Sequence, residues 1–141
     1  MQRHLILYAR TPRYGRVKTR LARDIGNIDT LRFYRRTLTT IARRLSALAG
    51  CRLYLALTPD KDVDNAPVEA FQHFSLIKQG GGDLGARMAR SFQALPKGPA
   101  VLIGSDIPDI QPRHIKAAFD ALGTHDAVFG PCHDGGYWLI G

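Results

Sequence analysis

Cysteine is scarce in this chain: Cys51 and Cys132 are the only two among 141 residues. Two thiols without metal-type spacing exclude a disulfide framework and a cysteine-built metal centre, and they predict buried thiols instead. Long apolar runs are missing as well, and nothing approaches the roughly 18 apolar residues a membrane helix needs. The opening, Met1-Gln2-Arg3-His4-Leu5-Ile6-Leu7-Tyr8, lacks a signal peptide's longer apolar region and small-residue cleavage site. The resulting expectation is a cytoplasmic protein with no membrane partner. Acidic residues are nearly absent from the first third: residues 1–52 hold 13 Lys+Arg against 2 Asp+Glu, and the remainder 7 against 10. The formal charge of +8 is therefore concentrated at one end, which suits either nucleic acid or a small polyphosphate. The arginines sit in one loop and along one helix exterior, without interleaved exposed aromatics, which disfavours a nucleic-acid partner.

What is present reads as one domain, residues 1–141, long enough for a real hydrophobic core. Apolar runs at Leu5–Ala9, Leu53–Leu57, Phe74–Ile77, Ala100–Ile103, Ala127–Phe129 and Tyr137–Ile140 predict strands. Helices are predicted from near Lys18, from Thr30 to Ala49 with Asp29 as N-cap and Gly50 as stop, after Asp83, and from Pro112 to Leu122. Leu31, Tyr34, Leu38, Ile41, Leu45 and Leu48 form one helical face, with Arg32, Arg35, Arg36, Arg43 and Arg44 mostly off it. In the helix after Asp83, the inward positions are Leu84, Met88, Phe92 and Leu95. The alternation predicts an α/β fold of three layers, α/β/α, around a mostly parallel sheet.

Chemistry concentrates at strand ends, where open α/β sheets collect ligands. Asp106 follows the apolar run Val101-Leu102-Ile103 and needs a cation, a metal or backbone donors, because an unpaired buried carboxylate is costly. It suits Mg²⁺ or Mn²⁺ and equally suits a hydrogen bond to its own turn. Asp134, in Gly130-Pro131-Cys132-His133-Asp134-Gly135-Gly136-Tyr137-Trp138, would orient or deprotonate an acceptor, hold the metal from the other side, or mark a hairpin turn. Tyr137 or Trp138 would line a substrate. Arg10, Arg13, Arg16, Lys18 and Arg20 surround a glycine-containing loop that opens a helix, either an anion site or a solvated loop. The loop has neither the phosphate-loop ending Gly-Lys-Ser/Thr nor the dinucleotide Gly-x-Gly-x-x-Gly. Gly80-Gly81-Gly82-Asp83-Leu84-Gly85-Ala86-Arg87 is a second loop, whose Gly81 and Gly82 permit a ligand's close approach. His125 and His133 are read as structural or surface groups, and Asp109 as a turn residue.

Four ordered segments resemble one family. Tyr8-Ala9-Arg10-Thr11-Pro12-Arg13-Tyr14-Gly15-Arg16-Val17-Lys18-Thr19-Arg20-Leu21 is similar to the N-terminal signature of an uncharacterised bacterial glycosyltransferase-like family. Gly82-Asp83-Leu84-Gly85-Ala86-Arg87-Met88, Ile103-Gly104-Ser105-Asp106-Ile107-Pro108-Asp109 and the run from Gly130 to Gly141 match its other motifs in order. More distantly the chain is similar to nucleotidyltransferases that attach guanylate to phospholactate or to molybdenum cofactor. The resemblance implies the GT-A, nucleotide-diphospho-sugar transferase fold and a nucleotide bound across the first loop and the glycine loop. Lys18, Asp106 and Asp134 become catalytic candidates; Arg10, Arg20, Gly81, Gly82, Arg87 and Tyr137 become substrate-binding candidates. Asp106 becomes the ligand of a divalent cation, Mg²⁺ or Mn²⁺, although the second aspartate of an Asp-x-Asp pair is replaced by Ile107-Pro108. The partners implied are a nucleotide or nucleotide-sugar donor and a small-molecule acceptor. The expected reaction is sugar transfer, with nucleotidyl transfer releasing pyrophosphate, or nucleotide binding without turnover, as alternatives. Family members continue past the Asp-Gly-Gly-Tyr motif, so a C-terminally truncated domain is expected, whose uncovered edge would favour a homodimer.

Overall fold

The computed structural model describes residues 1–10, 19–61, 71–107 and 109–141, with backbone alone at Thr19 and Arg20. Ten elements follow one another: β1 (Arg3–Arg10), α1 (Thr19–Ile25), α2 (Asn27–Leu45), β2 (Cys51–Thr58), β3 (Phe74–Lys78), α3 (Leu84–Gln93), β4 (Ala100–Gly104), α4 (Pro112–Leu122), β5 (Phe129–Pro131) and β6 (Tyr137–Ile140). The six strands form one sheet in the order β3-β2-β1-β4-β6-β5. β1 pairs in parallel with both β2 and β4, and β2 with β3. β6 runs antiparallel to β4 and to β5.

Alternation along β1 divides the core. Leu5, Leu7 and Ala9 face α2 and α4, joining Tyr34, Leu38, Ile41, Leu45, Ile115 and Phe119. Ile6 and Tyr8 face the other way, with Tyr54, Ala56 and Leu102, beneath Met88, Phe92 and Leu95. Successive strand side chains point to opposite faces, so a run buried on both sides reads as continuously apolar. Leu5, Ile6 and Leu7 are completely buried for that reason. The three-layer α/β/α arrangement therefore stands as the sequence implies.

Several local expectations give way. Asp29 does not cap α2: Gly26 does, at φ +85°, a left-handed backbone that also separates α2 from α1. Asp29 falls in the first turn, where a negative charge suits the helix dipole, 3.8 Å from Arg32. α2 ends at Leu45 rather than Ala49, and the Ser46 hydroxyl donates to the Ala42 carbonyl beside its end. Leu48 still packs against the core from the turn beyond. Leu84 is half exposed instead of inward. β5 starts at Phe129 rather than Ala127. Cys51 and Cys132 are free thiols, but half-buried rather than buried. Asp83 caps α3 as expected, accepting from Ala86 N–H at 2.8 Å. No helix among the described residues is long and apolar enough to cross a membrane.

Candidate functional site

The parallel strands deliver their carboxyl ends to one side of the sheet. Between β1 and β4 the strand order reverses, the place where α/β sheets open a ligand crevice. A cleft of about 490 Å³ lies there, lined by Arg10 at the end of β1, Thr58 at the end of β2, Gly104, Ser105 and Asp106 after β4, and Tyr137 and Trp138 from β6. Tyr34 reaches it from α2, and Leu84 and Met88 from α3.

Arg10 is exposed, yet its peptide is held tightly. The Tyr34 hydroxyl accepts from Arg10 N–H at 2.9 Å and donates to the Arg10 carbonyl at 2.6 Å. Tyr34 itself is buried, and its phenol is pushed above its ordinary value of 10.0, chiefly by that burial. The charge of Asp106 adds to the rise, while hydrogen bonds with Ser105 and with the Arg10 backbone oppose it, as does the Arg10 charge. The carboxylate of Asp106 and the cation of Arg10 therefore both act on one buried hydroxyl.

The glycine loop is anchored from three directions. Gly80 N–H donates to Asp60 Oδ1 at 3.0 Å. The Arg90 guanidinium donates to the carbonyls of Gln79 and Gly81, at 2.9 and 3.0 Å. Gln79, buried at the cleft wall, donates through Nε2 to the carbonyls of Ala9 and Ala56, at 3.1 and 2.9 Å, tying β1 to β2. Its Oε1 accepts from Arg87 at 2.9 Å. Gly80 and Gly82 have φ of +81° and +97°, and a Cβ at Gly80 would meet the Arg90 guanidinium. The backbone conformation favours glycine at position 80, and a side chain there would displace the Arg90 guanidinium.

Of the residues singled out from sequence, Arg10, Asp106 and Tyr137 come together on this cleft. Gly81 and Gly82 lie in the loop that leads to its Leu84 wall. Arg87 stands behind Gln79 with its Nε buried and unpartnered among the described residues. Asp134 occupies the β5–β6 turn, where it is exposed and accepts from Gly136 N–H at 2.9 Å. That is the hairpin-turn geometry, and the turn is closed by Cys132 N–H donating to Gly136 O at 2.7 Å. His125 and His133 are exposed, as expected. Lys18, Arg13 and Arg16 lie outside the described residues, as does the side chain of Arg20. Tyr34, Gln79 and Ser105 were not anticipated. Tyr34 reads as one more apolar helix position, although a buried tyrosine hydroxyl demands a partner, and that demand was the available signal.

Among the described residues no three His, Cys, Asp or Glu side chains cluster to hold a metal. One exposed carboxylate in a cleft fits an ion shared with bound phosphates, the usual arrangement for Mg²⁺, rather than a cage built by protein alone.

The chain is similar to a protein from Desulfovibrio desulfuricans G20, provisionally named nucleotide-diphospho-sugar transferase. The TM-score is 0.86 and the identity 34%, over 99% of this chain and 62% of that one. It shares its fold with 4-diphosphocytidyl-2C-methyl-D-erythritol synthase from Anaerococcus prevotii DSM 20548, with a TM-score of 0.58 and 13% identity over 96% of this chain and 61% of that one. The chain thus spans under two thirds of the length of either protein. No curated protein matches it. The fold is that of the nucleotide-diphospho-sugar transferases. The family model of uncharacterised proteins conserved in bacteria (DUF2064) matches residues 40–141, and the chain belongs to that family.

Proposed function

We propose that the protein is a cytoplasmic transferase that binds a nucleotide-diphospho-sugar in the cleft and passes the sugar to a small-molecule acceptor. One observation carries this reading. At the strand-order reversal, a cation (Arg10), a carboxylate (Asp106) and the two residues that flank an anchored glycine loop (Gln79 and Leu84) border a single cleft. Arg10, Lys18 and Arg20 bind the diphosphate, and the Arg guanidinium pairs with phosphate through two parallel hydrogen bonds. Gly81 and Gly82 let the nucleotide approach the backbone, while Arg87 steadies the Gln79 wall. Asp106 would hold Mg²⁺ or Mn²⁺ jointly with the diphosphate, and the ion supplies charge neutralisation for the leaving group. Tyr137 and the turn bearing Asp134 stand on the acceptor side. The similarity to the Desulfovibrio protein supports the donor class.

Nucleotidyl transfer from a nucleoside triphosphate is the second reading. The likeness of fold to the diphosphocytidyl methylerythritol synthase supports it. The released product distinguishes the two: a nucleoside diphosphate from a sugar nucleotide, pyrophosphate from a triphosphate. The first experiment is thermal denaturation with nucleoside di- and triphosphates and sugar nucleotides, with and without Mn²⁺. At least one nucleotide raises the melting temperature, and Asp106→Ala and Lys18→Ala each diminish that rise. A melting curve moved by none of these compounds overturns the catalytic readings. Binding without product release supports a nucleotide-binding protein that does not turn over.

A further inference from the structure

The opposite end of the sheet carries a second cavity, of about 320 Å³. That volume lies at the lower end of small-molecule pockets, roughly 300–1,000 Å³. It opens where β1 and β2 begin, between the end of α2 and the start of α4, so it shares no lining residue with the cleft. Leu48, Cys51 and the ring of Phe119 form an apolar interior, and Arg3, Arg113 and Lys116 bring three cations to it. Phe119 is 5% exposed, and the Arg3 guanidinium lies over its ring at 5.4 Å. That contact holds the guanidinium beside the apolar wall at little entropic cost to a ligand.

The balance of charge is lopsided. Asp120, which does not line the cavity, approaches Lys116 at 2.8 Å and Arg3 at 3.9 Å. Arg113 forms no ion pair among the described residues, and the lining contains no carboxylate. One exposed acid therefore meets two of the three cations and leaves Arg113 uncompensated among the described residues. Burial pushes the Cys51 thiol up to about 11, so this group lines the cavity as a neutral apolar surface at physiological pH. An apolar interior with cations of net positive sign selects an organic anion with an apolar body: its hydrocarbon displaces water from Phe119 and Leu48, and its acid group takes charge-assisted hydrogen bonds from arginine and lysine.

We propose that this cavity is a binding site for a small amphipathic carboxylate, separate from the nucleotide cleft. The probe is octanoate, titrated into ¹⁵N-labelled full-length chain, with octanol and inorganic phosphate as companions that each carry one half of the chemistry. Octanoate shifts the amides of Leu48, Cys51 and Lys116–Phe119 saturably and leaves those of Arg10 and Asp106 in place. Octanol and phosphate each bind about tenfold more weakly or less, as expected when the charge-assisted or apolar part is lost. Arg113→Gln combined with Lys116→Gln lowers octanoate affinity about tenfold. Both side chains are exposed, and a matching melting curve confirms folding; should the pair fail to fold, Arg113→Gln alone serves, with a smaller loss. Asp106→Ala leaves octanoate binding unchanged. The proposal falls if octanoate produces no saturable shift around the cavity, if the shifts centre on the cleft, if phosphate binds as well as octanoate, or if the glutamine variant binds octanoate as tightly as the original.

Discussion

The hydroxyl of Tyr34 and the peptide of Arg10 bond in both directions, donating and accepting within 3 Å. Helix α2 thereby holds the last residue of β1 where it meets the cleft. Tyr34→Phe removes both bonds and leaves the N–H and C=O of Arg10 without their protein partner. A loss of about 1–3 kcal/mol is expected in urea denaturation, the usual net worth of two hydrogen bonds.

The same side chain sets an alkaline limit. Tyr34 ionises near its ordinary value of 10.0 in the unfolded chain, but above it when folded, because burial disfavours the phenolate. Its contribution is intact below pH 10 and is lost as pH rises through the raised folded value. Stability measured against pH therefore declines less steeply in Tyr34→Phe over that window. Equal slopes in the two proteins would contradict this account.

Gln79 is a sharper test of the strand ends. Its Nε2 donates to two carbonyls, and Gln79→Glu places an acceptor-only oxygen against Ala9 O and Ala56 O. Near neutral pH the variant unfolds at least about 1–3 kcal/mol more easily. Burial and the two facing carbonyls disfavour the new carboxylate while the Arg87 guanidinium at Oε1 favours it, so part of the loss is recovered as pH falls where the carbonyls outweigh Arg87. No loss at any pH would show that the amide's direction does not matter.

Much of this architecture was legible in the residues themselves. Pro112 to Leu122 and Tyr137 to Ile140 match α4 and β6, because a proline in the first turn and an uninterrupted apolar run each have few readings. The start of α2 was misplaced because Asp29 is a strong capping type, whereas Gly26 acts through a left-handed backbone that the residue name permits without requiring. Asp106 was visible as a strand-end residue, Arg10 as part of a basic loop and Tyr137 as the residue after the Gly135-Gly136 pair. Tyr34 and Gln79 were not, since one hides in a helix's apolar periodicity and the other acts through carbonyls of Ala9 and Ala56, far away in sequence.

Gly80→Ala introduces a Cβ at φ +81° and against the Arg90 guanidinium. Left-handed strain in a non-glycine residue costs about 1–3 kcal/mol, and Arg90 must also release the carbonyls of Gln79 and Gly81. The urea midpoint falls accordingly. Gly81→Ala, at a position with open space around it and no left-handed backbone, changes it far less.

Cys51 gives a chemical check on the second cavity. With its thiol near 11 against an ordinary 9.0, the thiolate fraction at pH 8 is about 100-fold lower than in an unperturbed cysteine. Mass spectrometry after iodoacetamide treatment should find position 51 almost unmodified at pH 8, with the rate climbing as pH approaches 11. Rapid labelling at pH 8 would refute the burial of that thiol.

Trp138 is the sole tryptophan of the chain, and it lines the cleft with its indole packed against Gly130. Its fluorescence consequently comes from one place. An occupant that reaches the indole changes the emission spectrum without an attached dye, so ligands can be screened optically on the unaltered protein.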